Sequence, residues 1–486
     1  MANVHRPAPS GPQLARAVVA VLAPILRPLA DRFAEAGHEL ALVGGPVRDA
    51  LLRRLDLSVP TADLDLTTSA RPDEVLSLIA GYADAQWTTG IEFGTIGLTH
   101  GGFTIEITTY RADRYDRISR NPVVAFGENL IDDLGRRDFT VNAMAISLPD
   151  GVLIDPYDGA ADLAAGILRA PATAEESFAD DPLRMLRAVR FVAQLGFELD
   201  PAAEQAIRGM AGEMARITAE RIQAEFSKLL LAPAPRRALR LLVDTGLAAV
   251  ILPELPALDL EIDEHHQHKD VYEHSLTVLD QAIALEPRLG NGPDLVLRLA
   301  ALLHDIGKPA TRRHEAGGGV SFHHHEVVGA KMVRKRLRAL RYSKSVIDDV
   351  AQLTFLHLRF HGFSGGAWTD SAVRRYVTDA GPLLTRLHVL VRSDSTTRNR
   401  RRAASLQASY DGLEERIDLI AAAEDLEAIR PDINGNEIMQ ILDISAGPTV
   451  GKAWKYLKEL RLDRGPLDHD EAVRELKAWA AREGVI

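Results

Sequence analysis

The chain has 486 residues, 46% of them apolar, and its 68 acidic against 57 basic side chains leave a formal net charge of −11. That length corresponds to about three domains with ample material for packed cores. The acidic balance excludes a general nucleic-acid coat, although charge acts locally. The lack of cysteine excludes disulfides and thiolate metal sites and fits a reducing cytoplasm.

The first apolar run, residues 17–26, contains Pro24 and is followed by Arg27 and Pro28. It is too short to span a membrane and precedes no clear small-residue cleavage site, so it reads as the first packed helix of a soluble, cytoplasmic protein. Strand and helix patterns then alternate, with strands expected at 40–43, 63–67, 94–99, 103–110, 143–147 and 152–154. From Asp162 onward the pattern is helical. Breaks are expected at Ala232-Pro233-Ala234-Pro235 and, as a linker, at Pro253-Glu254-Leu255-Pro256. Asp432-Ile433-Asn434-Gly435-Asn436-Glu437 reads as a loop entering a capped helix.

Four motifs in the first 190 residues suit a nucleoside triphosphate. Val43-Gly44-Gly45-Pro46-Val47-Arg48-Asp49 follows the first strand. Two glycines allow a sharp turn, Pro46 suits the first turn of a helix, and Arg48 adds a fixed charge at a helix N-terminus that can take phosphate. A lone Gly-Gly is more often a plain strand-turn-helix joint. Asp63 and Asp65 flank Leu64; in a strand both carboxylates face one way, as Mg²⁺ requires, while Leu64 and Leu66 face the other. Glu106, in the alternating stretch 103–110, joins them if the two strands are neighbours and is otherwise a surface residue.

Arg136-Arg137-Asp138-Phe139-Thr140 comes third. The fourth motif opens with Asp181 and runs along a helix expected at about 182–196, where Arg184, Arg187 and Arg190 recur at three-residue spacing. Leu183, Leu186, Val189 and Ala193 form the apolar stripe of that helix. Planar guanidinium groups beside Asp181 can bind phosphate or read the edge of a base, or they can form a salt-bridged face.

A different chemistry follows. The apolar helix 297–303 leads into His304-Asp305-Ile306-Gly307-Lys308, with Gly307 suited to a cap. His274 lies on an expected helix upstream, Phe322-His323-His324-His325-Glu326 in between, and Asp394 downstream. Neutral imidazoles with carboxylates suit a divalent transition metal that activates water. His265, His266 and His268 read as a loop. Lys331, Arg334, Lys335, Arg336, Arg338, Arg341 and Lys344 form one basic run, and Arg398, Arg400, Arg401 and Arg402 another. Either can grip RNA phosphates or be a solvated helix face.

In this order the head motifs, with Asp155-Pro156 before Gly159 and the run Glu220-Arg221-Ile222-Gln223-Ala224-Glu225-Phe226, resemble the class II CCA-adding tRNA nucleotidyltransferases over the first half of the chain. The resemblance implies that Asp63 and Asp65 bind Mg²⁺, and that Gly44, Gly45 and Arg48 meet the triphosphate. It implies that Arg137, Asp138 and Asn142 hold the sugar and order the pocket. Asp181 and Arg184 would form the protein template for cytosine and adenine, with Arg187 and Arg190 near the phosphates. The family's usual Glu-Asp before this helix is Asp180-Asp181 here. Cytosine and adenine each offer an exocyclic amine to Asp181 and a ring acceptor to Arg184. Uracil and guanine would set a carbonyl against the carboxylate. CTP, ATP and tRNA are the implied substrates.

The second half resembles the HD phosphohydrolase superfamily. His274, His304, Asp305 and Asp394 match its ligands, His325 and His357 are candidates for phosphate or a second metal, and phosphodiesterase or phosphatase activity is implied. The expected fold is α+β and multidomain. It comprises an α/β nucleotidyltransferase head with a small mixed sheet (1–165), an all-α neck with the nucleotide template (166–256), an HD-type helical domain (257–402) and a helical tail (403–486). The alternatives are a poly(A) polymerase of the same superfamily and an HD phosphohydrolase with a regulatory head. A catalytically silent tRNA-binding module and a stringent-response synthetase-hydrolase, whose HD unit comes first, fit the sequence less well.

Overall fold

The computed structural model describes residues 10–54, 63–111, 126–127, 129–259, 271–290, 292–315, 319–360, 368–396, 399–424, 426 and 429–486. The chain divides into two compact units, Met1–Ile251 and Leu252–Ile486.

The first unit is built on a seven-stranded sheet of β1 (Leu40–Val43), β2 (Asp63–Thr68), β3 (Ala85–Trp87), β4 (Thr95–His100), β5 (Phe103–Thr109), β6 (Ala145–Leu148) and β7 (Leu153–Ile154). Their order is β3-β4-β5-β2-β1-β6-β7. Only the β2–β5 pair is parallel, so the sheet is mixed as expected. Alternation decides which face is inside. Leu64, Leu66, Ile96, Leu98, Ile105 and Ile107 are fully buried on one side, and the acidic residues of β2 and β5 lie on the other. The β4–β5 turn pairs His100 with Phe103 across Gly101 and Gly102, both at positive φ, the geometry a two-residue hairpin loop demands.

Helix Pro72–Ile79 covers β4 and β5, and helix Gly11–Glu35 lies against β1, β6 and β7. The latter is long and apolar enough to cross a membrane by length and composition alone. Its stripe of Leu22, Leu26, Leu29 and Phe33 is nevertheless buried in the first unit, and the helix continues through Pro24 and Pro28. Six strands fall within two residues of expectation. The seventh, β3, is a three-residue edge strand with no periodic signal.

Beyond the sheet, helix Leu183–Leu195 packs against Ala219–Leu230 and Pro235–Asp244. A short parallel pair, Ile167–Leu168 with Glu198–Leu199, ties the start of this helical part together. The sequence gives no sign of it, because two-residue strands carry no period.

In the second unit, helices Val271–Leu285, Leu295–Leu303, His325–Ala339, Lys344–Leu356 and Leu384–Asp394 enclose a cluster of histidines and aspartates. Helices Gly435–Leu442, Pro448–Arg464 and His469–Arg482 form a separate small core around Ile438, Leu457, Leu476 and Trp479. Asn434 caps the first of these by accepting from the Asn436 and Glu437 backbone N–H groups, as its sequence suggested.

Candidate active site

Parallel pairing of β2 with β5 sets Asp65 directly opposite Glu106 and Asp63 opposite Thr104. Asp63, Asp65 and Glu106 therefore share one face of the sheet. Burial pushes the Asp65 carboxyl up to about 6, with Glu106 and Asp63 adding to the rise and Arg137 opposing it. Three hard oxygen donors on one face suit a small divalent cation.

The turn after β1 stands beside them. Gly44 has φ +70, and a Cβ there would lie 3.2 Å from Arg137 Nη1 and 3.6 Å from Asp65 Oδ2. The left-handed conformation favours glycine, which also lets Arg137 and Asp65 approach the turn closely. Arg48, buried in the following helix Gly45–Leu51, is clamped by Asp49 through Nε (2.8 Å) and Nη2 (2.9 Å), and donates from Nη1 to Asn142 Oδ1 at 2.8 Å.

From there a chain of bonds runs into the neck. Asn142 Nδ2 donates to Asp138 Oδ1 (2.9 Å), and Arg187 donates to Asp138 Oδ2 from Nε (2.9 Å) and Nη2 (2.5 Å). Burial alone would raise the Asp138 carboxyl, but Arg187 and the Asn142 amide outweigh it and hold it at about 2. The Gly44 turn and helix Leu183–Leu195 are thus joined by Arg48, Asn142, Asp138 and Arg187.

Arg184 is held by Ser177 Oγ (2.9 Å) and the Arg136 carbonyl (2.6 Å). Asp181 accepts from the Leu183 N–H and, at 2.7 Å, from Arg221 Nη2. Arg187 and Arg190 share Glu225, Arg190 Nε lying 2.5 Å from it and its guanidinium 4.0 Å above the Phe191 ring. Arg190 is buried, so it serves as a brace within the neck.

Asp133 and Ser177 lie outside the motifs read from the sequence, and Asp49, Arg221 and Glu225 lie within them but had no role assigned. Asp133 lies four residues before Arg137 and receives its Nη2 at 3.3 Å. That helical spacing was its only signal.

The second unit gathers His274, His304 and Asp305 into one group of converging donors and Asp305, His325 and His357 into another, each with its ligand atoms within 4.8 Å. Among the described residues no other group converges so tightly. His304, His325 and His357 each bond through Nδ1 to a backbone carbonyl, of Ala301 (2.9 Å), Phe322 (2.8 Å) and Thr354 (2.6 Å). The proton belongs on Nδ1 in that arrangement, which turns the Nε2 lone pair inward.

His325 Nε2 and His357 Nε2 consequently face each other at 3.3 Å, and the buried His304 Nε2 has no hydrogen-bond partner. Lone pairs so placed call for a cation. Asp305 serves both groups, Oδ2 lying 3.2 Å from His304 and Oδ1 3.2 Å from His325. Asp394 completes the first, 2.9 Å from His274 Nε2. This donor set fits a divalent transition metal.

Gly307 is not the left-handed cap expected of it, for its φ is −80. Its role is space: a Cβ would meet the His325 carbonyl oxygen at 2.2 Å. In the basic run, Arg336 pairs with Glu254, and both Arg334 and Lys344 pair with Asp348, leaving it partly neutralised. His265, His266, His268 and Arg398 lie outside the described residues.

Residues 40–169 match the family described as poly A polymerase head domain, 196–258 the probable RNA and SrmB-binding site of polymerase A, and 271–399 the HD domain. The chain is 42% identical over 222 residues to the CCA-adding enzyme of Lactobacillus johnsonii, covering 46% of this chain and 53% of that protein. It is 44% identical over 212 residues to that of Geobacillus sp., covering 43% and 50%. The matched region thus spans about half the length of these curated relatives.

The fold is similar to that of the Bacillus stearothermophilus CCA-adding enzyme solved with CTP, at a TM-score of 0.66 and 26% identity over 96% of this chain and 99% of that one. Similarity to the Thermotoga maritima enzyme complexed with tRNA has a TM-score of 0.58 at 21% identity over 94% and 95%, which speaks for the fold alone. Head and HD families of these kinds generally use divalent metals. Matches to a poly A polymerase head, its RNA-binding part and an HD domain thus follow one another in that order along a chain whose fold is similar to that of a CCA-adding enzyme.

Proposed function

We propose that this protein completes the 3′ end of tRNA, adding CCA from CTP and ATP with release of pyrophosphate. The observation that carries this reading is the acidic row of Asp63, Asp65 and Glu106 beside the Gly44 turn and Arg48. In the reaction the RNA's 3′-oxygen bonds to the α-phosphorus of the bound nucleotide as the bond to pyrophosphate breaks. Mg²⁺ held by Asp63 and Asp65, when bound, lowers the pKa of the 3′-hydroxyl and stabilises the departing pyrophosphate. Gly44, Gly45 and Arg48 grip the triphosphate, and Arg137 with Asn142 holds the sugar.

Asp181 takes the exocyclic amine of cytosine or adenine, exchanging its bond from Arg221, while Arg184 donates to the ring nitrogen. Arg187 keeps Asp138 in place, and Arg190 with Glu225 stiffens the helix that presents them. The chain is divided at 1–165, 166–256, 257–402 and 403–486, a reading supported for its first three parts by matches to separate family models at 40–169, 196–258 and 271–399. The cysteine-free composition agrees with a cytoplasmic enzyme.

The test uses purified protein, Mg²⁺ and a tRNA transcript ending at the discriminator base, with CTP and ATP supplied separately and together. Two additions with CTP and a third only with ATP are expected. C-only or A-only addition would mean a partial-synthesis enzyme, and a long ladder with ATP alone a poly(A) polymerase.

A second reading is favoured by the orphaned His304 Nε2 and the two groups of donors that share Asp305. The HD unit is a metal-dependent phosphodiesterase or phosphatase, with His274, His304, Asp305 and Asp394 holding one ion and His325 and His357 a second.

A further inference from the structure

Register across the sheet places four residues in one line. Trp87 stands opposite Gly97, Gly97 opposite Glu106, and Glu106 opposite Asp65. All four share the acidic face, and with strands ~4.8 Å apart the Trp87 backbone lies about 10 Å from that of Glu106.

Gly97 has no side chain to fill the space between, and the Trp87 indole occupies it. A Cβ built on Gly97 would meet Trp87 Cε2 at 2.0 Å and Nε1 at 2.1 Å. Trp87 and Phe93, which is 46% exposed, line an open cleft of about 600 Å³ together with Thr95, Glu106 and Arg111. That volume lies in the range that holds a small-molecule-sized group.

The direction of the cleft carries the argument. The Gly44 turn and Arg48 follow β1, on one side of β2, and the cleft opens on the β5 side. In-line displacement sets the attacking oxygen and the leaving pyrophosphate on opposite sides of phosphorus. With the triphosphate on the β1 side, the acceptor must arrive from the β5 side, across Glu106.

We propose that this cleft seats the 3′-terminal nucleoside of the acceptor RNA. Its base stacks on the Trp87 indole beside Phe93, and its 3′-hydroxyl turns towards Glu106. This rests on the nucleotidyl-transfer reading above. Arg111, donating from Nη2 to Thr95 Oγ1 at 3.2 Å, brings positive charge suited to the phosphate preceding that nucleoside. Stacking tolerates any base because every base has a π-face. An acceptor whose last base changes with each addition needs a grip of that kind.

The test compares wild type, Trp87→Ala, Trp87→Phe and Phe93→Ala in adding one C to a tRNA transcript, with KM for RNA and for CTP measured separately. A second transcript carries 2-aminopurine as its 3′-terminal base. Losing one base stack should raise KM for RNA about tenfold in Trp87→Ala with KM for CTP within about twofold, while Trp87→Phe keeps most of the wild-type value. The 2-aminopurine fluorescence should be quenched on binding wild type and Trp87→Phe, and much less on binding Trp87→Ala.

A purely structural role for Trp87 in covering Gly97 would lower the melting temperature and leave this split and the quenching unmoved, which would overturn the proposal. So would a rise in KM for CTP instead of RNA. If Trp87→Ala does not fold, Phe93→Ala carries the test through the same KM split at an exposed position. A wild-type protein that extends no RNA would sink the underlying reading; one that extends RNA with no effect of these substitutions would sink only the stacking site.

Discussion

At the residue scale, Asp138 connects two elements. It holds Asn142 against Arg48 on one side and Arg187 on the other while fully buried. A carboxyl lowered from 3.8 to about 2 contributes about 2 kcal/mol of stability. Because the folded pKa lies below the unfolded one, that contribution is complete above about pH 4 and is lost as pH falls through about 2. Asp138→Asn should therefore cost about 2 kcal/mol or more at neutral pH, since Arg187 loses its main partner, and the difference from wild type should shrink towards pH 2. Urea unfolding at pH 7, 4 and 3 measures it, and a gap that stays constant with pH would refute the assignment. Arg184 makes a separate prediction. Arg184→Ala should blur discrimination of CTP and ATP from UTP and GTP more than it weakens RNA binding, because selectivity arises from unpaired polar groups in the wrong complex. Competition between the four nucleotides on one transcript checks this, and intact selectivity would remove Arg184 from the template.

At the element scale, close approach of backbones decides how well the helical metal centre is built. The turn at Gly307 lies against the start of helix His325–Ala339, with the His325 carbonyl and the Gly329 N–H at 2.2 and 2.7 Å from where a Cβ would stand. Gly307→Ala must push that helix away and carry His325 off Asp305. We expect divalent-ion affinity of the HD unit to fall about tenfold or more, as happens when the support of a metal ligand is disturbed, with nucleotide addition unchanged. Calorimetric titration of Mn²⁺ or Ni²⁺ into both proteins decides it, and equal affinities would show that His325 contributes nothing to binding.

At the scale of the whole molecule, the two candidate sites fall in different compact units, Met1–Ile251 and Leu252–Ile486. Sites that share no partners contribute independently in general. Replacing His304 and Asp305 by alanine together should thus leave the rate of CTP incorporation within about twofold of wild type while removing any metal-dependent phosphate release. A large loss of incorporation would mean that the two units are energetically coupled.

Much of this was legible in the residues. The alternation Asp63-Leu64-Asp65-Leu66 fixes which side chains face inward, since a strand's period is two, and the adjacent His304-Asp305 at the end of an apolar helix marks a metal centre by the chemistry of its donors. Sequence could not say that β5 lies parallel to β2 and sets Glu106 beside Asp65, because strand pairing joins segments some forty residues apart and leaves no local trace. The same holds for the neck, where Arg187 and Arg190 look like a free cationic ladder until Asp138 and Glu225 close on them from other elements. It holds for Gly307, whose need for glycine arises from a helix that follows later in the chain. Local periodicity and donor chemistry were determined by the sequence alone. Which charge meets which, and therefore which arginines are tied into the fold, was decided by tertiary contact.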